Sequence, residues 1–353
     1  MDKPKKSIRR KSSGVTIDEV AALAGVSPMT VSRVINGQGK VRDTTRERVM
    51  QAVRELDYTP NLAASSLAAA QHTRIALIYT NPSGAYLREL LVGLLRVASR
   101  TAIQLVVDYW DGLGGEAERE AARALARRVD GVILPPPLCE SRVAVTELVK
   151  AGVPVVAIAS GRFSNDISCV RIDDFTAGKE MAEHLIERGH ARIGFIRGRN
   201  DLSASSRRYD GFVTALHEAG LEVDADLVQQ GDYTYRSGLK ATEKLLAHRK
   251  PPTAIFASND DMGAAAISVA HRRGLDVPRD LSVVGFDDTS AATTVWPELT
   301  TIHQPIASMA NAAVDILLRS IRRKGDSTRV LMDHVVPHRL VSRESVAAPP
   351  KRR

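Results

Sequence analysis

A short segment near the N-terminus carries the start and stop signals of two consecutive helices. Thr16 can cap a first helix, and Glu19, three residues later, can complete a capping box. Gly25 can end that helix, because a residue without a Cβ readily adopts the left-handed conformation of a C-terminal cap. Ser27 and Pro28 then supply the cap and the first residue of a second helix. Two short helices joined in this way predict a helix-turn-helix, the geometry that places a second helix in the DNA major groove.

The side chains of this segment suit helices that pack against one another. The first helix should turn one apolar face inward, formed by Ile17, Val20, Ala21 and Leu23. In the second helix Val31 and Val34 are expected to face inward and Arg33 outward, and Gly37 is expected to end the helix. A third helix is predicted over 44–56, with inward positions at Val49, Val53 and Leu56. The alternative interpretation is an ordinary pair of packed helices that contacts no nucleic acid.

The net positive charge lies mainly at the same end of the chain. Of the formal net charge of +8, five charges come from residues 1–60, which hold 12 Lys or Arg and 7 Asp or Glu. Lys351, Arg352 and Arg353 supply the other three, so the intervening residues sum to zero. Positive charge beside a helix-turn-helix favours a surface that faces DNA phosphates. A solvated basic tail would explain residues 3–11 alone, and residues 1–15 are expected to be disordered.

Cysteine usage and hydropathy exclude several classes of protein. The two cysteines, Cys139 and Cys169, form neither a zinc-binding spacing nor a disulfide framework, which favours a reducing compartment. The basic N-terminus lacks the apolar stretch of a signal peptide, and no apolar run reaches the length of a membrane span. We therefore expect a cytoplasmic protein that uses no membrane, no cofactor and no metal.

From Thr73 onward, short apolar runs alternate with amphipathic segments. Strands are predicted at 75–79, 105–109, 131–134, 153–159, 193–196, 254–257 and 282–286. Helices are predicted between them, including 181–188, 209–219 and 262–273. Buried strands that alternate with helices predict parallel sheets in doubly wound α/β layers. This part of the chain, about 270 residues, is too long for one core, so two lobes are expected.

Polar side chains follow four of these strands, at the ends where α/β sheets bind ligands. They are Thr80, Asn81 and Tyr86, then Arg197, Arg199 and Asn200, then Ser258, Asn259, Asp260 and Asp261, and finally Asp287 and Asp288. Amides, carboxylates, arginines and aromatic rings together suit a polyhydroxylated ligand, because planar groups form paired hydrogen bonds and rings pack on the apolar face of a sugar. The alternative for each residue alone is a turn former or a helix cap.

Two other classes of protein share some of these features. The paired acids Asp260-Asp261 and Asp287-Asp288 raise the alternative of an enzyme, since carboxylates can perform acid–base chemistry or hold a metal. Adjacent residues point in different directions, however, and the sequence contains no complete catalytic or nucleotide-binding motif. A periplasmic sugar receptor fits the α/β part of the chain, but it fits neither the missing signal peptide nor the helix-turn-helix.

An ordered series of motifs within residues 15–343 resembles the LacI/GalR family of bacterial transcription regulators. The motifs are VTIDEVA at 15–21, VSPMTVSRVING at 26–37, YTPN at 58–61, HLIERGH at 184–190, ASND at 257–260, VGFDD at 284–288 and LTTI at 299–302. The resemblance implies an N-terminal all-α helix-turn-helix domain, a hinge helix, and a two-lobed α/β core like that of periplasmic sugar-binding proteins. It also implies a homodimer, because a two-fold symmetric protein reads a pseudo-palindromic operator.

The resemblance assigns candidate DNA contacts. They are Thr16, Ser27, Pro28, Met29, Thr30, Arg33, Asn36 and Leu67. Arg33 would reach a guanine in the major groove, and Leu67 matches the hinge leucine that wedges into the minor groove. Ser65 departs from the family pattern, because many relatives carry Arg or another long polar residue there, and this change puts one minor-groove or phosphate contact in question.

The resemblance also assigns effector-pocket positions. They are Tyr86, Arg208, Tyr233, Asn259 and Asp287, and Asn81, which follows the first predicted strand, completes the candidate effector site. The alternative for Arg208 is that it pairs with a carboxylate only to hold its helix in place. The three prolines at 135–137 are a second departure, since some sugar-responsive relatives place a hydrogen-bonding side chain there.

These observations predict a sequence-specific DNA-binding transcription regulator, a repressor rather than an enzyme, whose operator affinity is set by a small ligand. A sugar is the expected ligand, and double-stranded operator DNA is the expected partner. The expected organisation is a disordered basic tail at 1–15, a helix-turn-helix domain at 16–59, a hinge helix and linker at 60–72, a two-lobed effector-binding and dimerisation domain at 73–345, and a disordered tail at 346–353.

Overall fold

The chain divides into two compact units, residues 1–72 and 73–353. The computed structural model describes residues 16–35, 41–56, 58, 73–80, 83–161, 165–322 and 330–350. Several predicted features lie outside these ranges: the tail at 1–15, Asn36, Gly37, the hinge helix with Ser65 and Leu67, and Asn81. Within the described ranges, no helix is both long enough and apolar enough to cross a membrane.

The described part of the first unit contains three helices, whose ends follow the signals in the sequence. The Thr16 N–H donates to Glu19 Oε2 at 2.7 Å and Thr16 Oγ1 accepts from the Glu19 N–H at 3.4 Å, so the predicted capping box forms. Gly25 follows the first helix with a φ of +63°. Ser27 Oγ accepts the Thr30 N–H at 3.3 Å at the start of the second. The helices are α1 (Ile17–Ala24), α2 (Pro28–Ile35) and α3 (Asp43–Glu55).

The core of this unit differs from the prediction at one position. Leu23 was expected to face inward, but its side chain is 51% exposed, and Ala24 is buried instead. Ala24 lies four residues after Val20 and three after Ala21, so it shares the face of both. The other buried members of this core are Val31, Val34, Val49 and Ala52.

The second unit alternates strands with helices along its length. In chain order its elements are β1 (Thr73–Tyr79), α4 (Gly84–Ala98), β2 (Ile103–Tyr109), α5 (Gly115–Ala126), β3 (Gly131–Leu134), α6 (Arg142–Lys150), β4 (Val155–Ile158), β5 (Ser168–Arg171), α7 (Asp174–Glu187), β6 (Ile193–Arg197), α8 (Ser203–Glu218), β7 (Val228–Gln230), α9 (Tyr235–Ala247), β8 (Ala254–Ala257), α10 (Asp260–Arg272), β9 (Ser282–Val284), α11 (Ser290–Thr294), β10 (Thr301–His303), α12 (Ile306–Arg322), β11 (Asp333–Val335) and β12 (Arg339–Val341). Short 3₁₀ turns lie at Leu138–Glu140 and Ala225–Leu227.

These elements form two lobes, each built on a parallel sheet. The N-terminal lobe has six strands in the order β11-β5-β4-β3-β1-β2, with α4 and α12 on one face and α5 and α6 on the other. Because both faces are covered, β3 and β4 are buried along their whole length and are apolar throughout.

The C-terminal lobe has four parallel strands in the order β7-β6-β8-β9 and a separate antiparallel pair, β10 and β12. Helices α7 and α8 cover one face of the four-stranded sheet, and α9 and α10 cover the other. Three phenylalanines fill the first of these layers. The ring centroid of Phe195 lies 4.7 Å from that of Phe212 and 5.0 Å from that of Phe256.

All predicted strands are present, with ends that differ by up to two residues. The sequence missed β5, β7, β10, β11 and β12, which are three or four residues long. Such runs are too short to show a period, and their partners are distant in the chain. For example, Cys169 in β5 pairs with Asp333 in β11. Only the assembled sheet identifies them as strands.

The packed part of the chain extends past residue 345, where the sequence placed the start of a disordered tail. The Ala347 N–H donates to Ser282 Oγ at 3.0 Å. The Ala347 carbonyl oxygen lies 2.9 Å from Nε2 of the buried His190. The segment that follows Ser345 therefore packs against the C-terminal lobe beside β9.

Helices α7 and α8 approach so closely that their backbones touch. A Cβ atom added to Gly178 would lie 2.4 Å from the Arg208 carbonyl oxygen, and one added to Gly211 would lie 2.2 Å from the Phe175 carbonyl oxygen. Both distances are far shorter than a carbon–oxygen contact, so any side chain here would force the two helices apart.

Replacing Gly211 by Ala should destabilise the second unit. Overpacking of this kind costs about 1–3 kcal/mol, and Tm falls by roughly 2–4 °C for each kcal/mol in proteins of this size. Thermal unfolding followed by circular dichroism measures the change. The matched control is Gly84→Ala in the first turn of α4, where an added Cβ meets nothing within 4 Å. The control should leave Tm unchanged or slightly higher. Equal Tm values for the two variants would contradict the close helix packing.

Candidate functional site

Helix α2 presents a mixed surface of polar and apolar side chains to solvent. Val31 and Val34 are buried, as predicted, while Arg33 is exposed and Met29 is 65% exposed. Thr30 Oγ1 lies 2.9 Å from Ser27 Oγ, which fixes both hydroxyls at the start of the helix. The structure therefore leaves the predicted contacts of α2 free to meet a partner. Thr16, Ser27 and Pro28 are exposed as well.

A cavity in the second unit collects residues from both lobes. It is lined by Ser83, Tyr86, Pro136, Ala159, Leu202, Ala204, Arg208, Tyr233, Asn259, Asp287 and Gln304. Five of the six predicted effector positions are in this lining, and the sixth, Asn81, lies outside the described residues. Tyr86 at the start of α4 comes from the N-terminal lobe, and Arg208 on α8 comes from the C-terminal lobe. The sequence therefore identified most of the polar side chains around this cavity.

Arg208 is the central charge of the cavity wall, and it is buried. Its Nε donates to Asp174 Oδ1 at 2.8 Å and its Nη1 to the Ser258 carbonyl oxygen at 2.6 Å. Nη1 also lies 3.6 Å from Asp287 Oδ1. The guanidinium carbon lies 3.7 Å from the ring centroid of Phe286, a cation–π contact. Arg208 therefore pairs with a carboxylate, as expected if it holds its helix in place, and it also lines the cavity.

Asp287 occupies an unusual backbone position beside this arginine. Its φ is +108°, a conformation that aims the side chain of the residue after β9 into the cavity. Gln304 Nε2 donates to Asp287 Oδ1 at 2.6 Å. Burial raises the pKa of Asp287 to about 7, although the positive charge of Arg208 acts in the opposite direction.

Two buried polar atoms in the cavity lining have no hydrogen-bond partner among the described residues. They are the hydroxyl of Tyr86 and Oε1 of Gln304. Leaving a buried polar group unpaired costs about 1–3 kcal/mol, so both atoms favour a ligand that can donate or accept a hydrogen bond. The sequence pattern gave no signal for Gln304, because it follows a short strand, β10, that the pattern did not predict.

Asn259 and Tyr233 form one connected wall. Asn259 Oδ1 accepts the Met262 N–H at 3.0 Å and so caps α10, and its Nδ2 donates to the Tyr233 carbonyl oxygen at 3.0 Å. Burial raises the pKa of Tyr233 to about 12, so the phenol stays neutral. A Cβ on Gly198 would lie 2.4 Å from the Tyr233 hydroxyl oxygen, so a side chain at residue 198 would displace the ring.

Asp260 and Asp288 are held by protein groups outside the cavity lining, whereas Asp261 accepts a hydrogen bond from Ser83 in the lining. Asp260 accepts from the Thr289 N–H at 2.7 Å and from Thr301 Oγ1 at 2.6 Å. Asp288 Oδ2 lies 2.9 Å from His303 Nδ1. In each pair of adjacent acids the two side chains contact different groups, so they do not form one functional pair. Among the described residues, no group of three or more His, Cys, Asp or Glu is placed to hold a metal ion.

The remaining polar residues at the strand ends serve other roles. Arg197 stacks over the Tyr209 ring, with its guanidinium carbon 4.4 Å from the centroid. Arg199 Nε donates to Asp201 at 2.9 Å. At the proline run, Pro136 lines the cavity and offers no hydrogen-bond donor, so the cavity wall is apolar at this position.

Comparison with known proteins identifies both units. Residues 16–61 match "Bacterial regulatory proteins, lacI family", and residues 182–346 match "Periplasmic binding protein-like domain". The catabolite control protein A of Priestia megaterium is 35% identical over 333 residues, 94% of this chain and 99% of the relative.

Two solved structures are similar over nearly the whole chain. The structure titled "transcriptional regulator CelR-cellobiose complex" has a TM-score of 0.70 and 34% identity, covering 94% of this chain and 99% of that one. The Lac repressor dimer bound to operator and the anti-inducer ONPF has a TM-score of 0.70 and 29% identity, covering 95% and 100%. These matches confirm the predicted fold, with its helix-turn-helix unit and two-lobed α/β core. The chain therefore belongs to the lacI family of bacterial regulatory proteins, which are transcription regulators rather than enzymes.

Proposed function

We propose that this protein is a homodimeric repressor that binds a pseudo-palindromic operator through α2 and releases or retains it according to a small ligand in the cavity. The proposal rests on one cavity between the lobes. Arg208, Asp287 and Asn259 line it together with two unpaired polar atoms, the Tyr86 hydroxyl and Gln304 Oε1. A regulator needs such a second site, because a ligand controls DNA binding only by binding two conformations unequally.

The balance of charge in the cavity favours a neutral ligand, and a sugar fits best. Arg208 is already paired with Asp174 and lies near Asp287, so the described lining residues leave no cation to compensate a phosphate or carboxylate. Neutral hydroxyl groups can instead donate to Asp287 and accept from Arg208. Tyr233 and Leu202 add apolar surface for a sugar ring. The related structure with cellobiose supports this ligand class.

The proposed mechanism has two states. The lobes close or rotate around the ligand, and this motion changes the separation of the two hinge segments of the dimer and so the folding of the hinge helices on DNA. The hinge and its Leu67 wedge remain predictions, since these residues lie outside the described ranges.

An exposed apolar surface of the N-terminal lobe supports the dimer. Val92 and Leu95 on α4 are 41% and 51% exposed, and Val107 and Tyr109 on β2 are 52% and 61% exposed. Strand β2 is at the edge of its sheet. Exposed apolar side chains near an open sheet edge favour association with another chain, and a second copy is the occupant we propose.

Replacing Arg33 by Ala should weaken operator binding by about 1–3 kcal/mol and relax the base preference at one position in each half-site. A suitable probe is a duplex that the wild-type protein selects from a random-sequence pool, with affinity measured by fluorescence anisotropy. Arg33→Lys keeps the charge but loses the planar fork, so it should retain binding to random DNA and lose the base preference.

The control for Arg33 is Arg54→Ala, which removes an exposed arginine from the last turn of α3. This variant should keep the base preference of the wild type. An Arg33→Ala protein with unchanged affinity and unchanged base preference would rule out the assigned guanine contact.

Ligand binding should depend on pH through Asp287. A sugar hydroxyl that donates to this carboxyl favours its ionised form, so binding releases a proton wherever Asp287 is protonated in the free protein. Since the pKa is about 7, affinity should rise as the pH increases through 7 and should fall by up to about tenfold per pH unit below it. Isothermal titration between pH 5.5 and 8.5, with the neutral sugar that most raises Tm in a panel, measures this dependence.

Asp287→Asn provides the comparison, because it keeps an acceptor for Gln304 but cannot ionise. The variant should bind the same sugar more weakly at pH 8, and its affinity should vary less with pH. Parallel pH profiles for the wild type and the variant would contradict a direct contact between Asp287 and the ligand.

A further inference from the structure

Helix α8 lacks a cap of its own, and a residue of the other lobe supplies one. Leu202 occupies the N-cap position and has no side-chain group to accept a hydrogen bond. Glu140, at the end of the 3₁₀ turn in the N-terminal lobe, accepts the Ser203 N–H with both carboxylate oxygens at 3.1 Å. It also accepts the Ser203 hydroxyl. A carboxylate at a helix N-terminus is favourable because it satisfies free N–H groups and opposes the helix dipole.

The two lobes are in backbone contact at the same place. Gly161, between β4 and β5 of the N-terminal lobe, lies so close to α8 that an added Cβ would be 2.4 Å from the Ala204 backbone nitrogen. The Ser160 hydroxyl donates to Glu140 Oε1 at 3.4 Å on the same side. The prolines at 135–137 restrict the backbone that leads into the 3₁₀ turn carrying Glu140.

A second contact between the lobes also reaches a helix N-terminus. Asp261, in the first turn of α10, accepts the Ser83 hydroxyl at 2.7 Å. Ser83 is the N-cap of α4 and lines the cavity, and the Tyr86 N–H donates to its hydroxyl oxygen at 3.3 Å. Each lobe therefore sends a carboxylate to the first turn of a cavity-lining helix of the other lobe.

We propose that Glu140 is a latch that sets the equilibrium between open and closed lobes. The Glu140–Ser203 contact can exist only while the lobes are closed, and it acts on the helix that carries Arg208 five residues later. Loss of the latch opens the lobes, which separates Ser83 from Asp261 as well. Its role in ligand control rests on the proposed function, but the latch itself operates without ligand or DNA.

Hydrogen–deuterium exchange of the full-length protein without ligand tests the latch. In Glu140→Ala, amides of residues 203–206 should exchange about tenfold faster or more, because the charged acceptor is gone. The same variant should also expose the distant segments 83–87 and 259–262, since opening breaks the Ser83–Asp261 contact. Glu140→Gln, which keeps an acceptor but no charge, should give smaller increases at all three segments.

The matched control is Glu120→Ala, which removes an exposed acid of α5 in the same lobe and should leave all three segments unchanged. Faster exchange confined to 203–206 would show a local helix cap and overturn the latch, as would unchanged exchange at every segment. A sugar panel on the same proteins separates the two proposals. If Glu140→Ala speeds exchange at all three segments but no sugar slows exchange in the wild type, only the ligand proposal is contradicted. If a sugar slows exchange but the faster exchange in Glu140→Ala stays within residues 203–206, only the latch is contradicted.

Discussion

The buried ion pair between Arg208 and Asp174 is the interaction on which the second unit depends. A guanidinium withdrawn from water must be paired, and removing one partner of such a pair costs about 3–5 kcal/mol. The pair joins α8 to the start of α7, and Gly178 and Gly211 allow those helices to approach until their backbones touch. The same arginine forms part of the cavity wall. Under the proposed function, stability and ligand binding depend on the same side chain, so an Arg208→Ala variant would disturb both.

The architecture explains why the unpaired polar atoms are where they are. In both lobes the parallel strands end at the cavity, so their connecting loops and the first turns of the following helices provide its lining. Most of these polar groups are already paired within the protein, as Asn259 and Asp287 are. The Tyr86 hydroxyl and the Gln304 amide oxygen are left over. A neutral ligand with several hydroxyl groups can satisfy both without adding charge to a balanced site.

Local signals in the sequence were sufficient for the helix-turn-helix and for the long buried strands. The Thr16 capping box and the turn at Gly25 depend on residues three to nine apart, so they can be read directly from the chain. The cavity was predicted in part, because strand ends are identifiable. Gln304 and Glu140 were missed, since each matters through a partner far away in sequence, Asp287 and Ser203. Only the folded chain brings these groups together.

Ligand binding in the cavity and operator binding by the helix-turn-helix should change each other's affinity, and thermodynamic linkage measures this coupling. The affinity for a selected operator duplex is measured with and without a saturating neutral sugar, and the affinity for that sugar is measured with and without saturating duplex. If the two sites are coupled, both affinities change by the same factor, roughly 5–150-fold. A sugar that binds the free protein and the DNA complex with equal affinity would contradict this coupling.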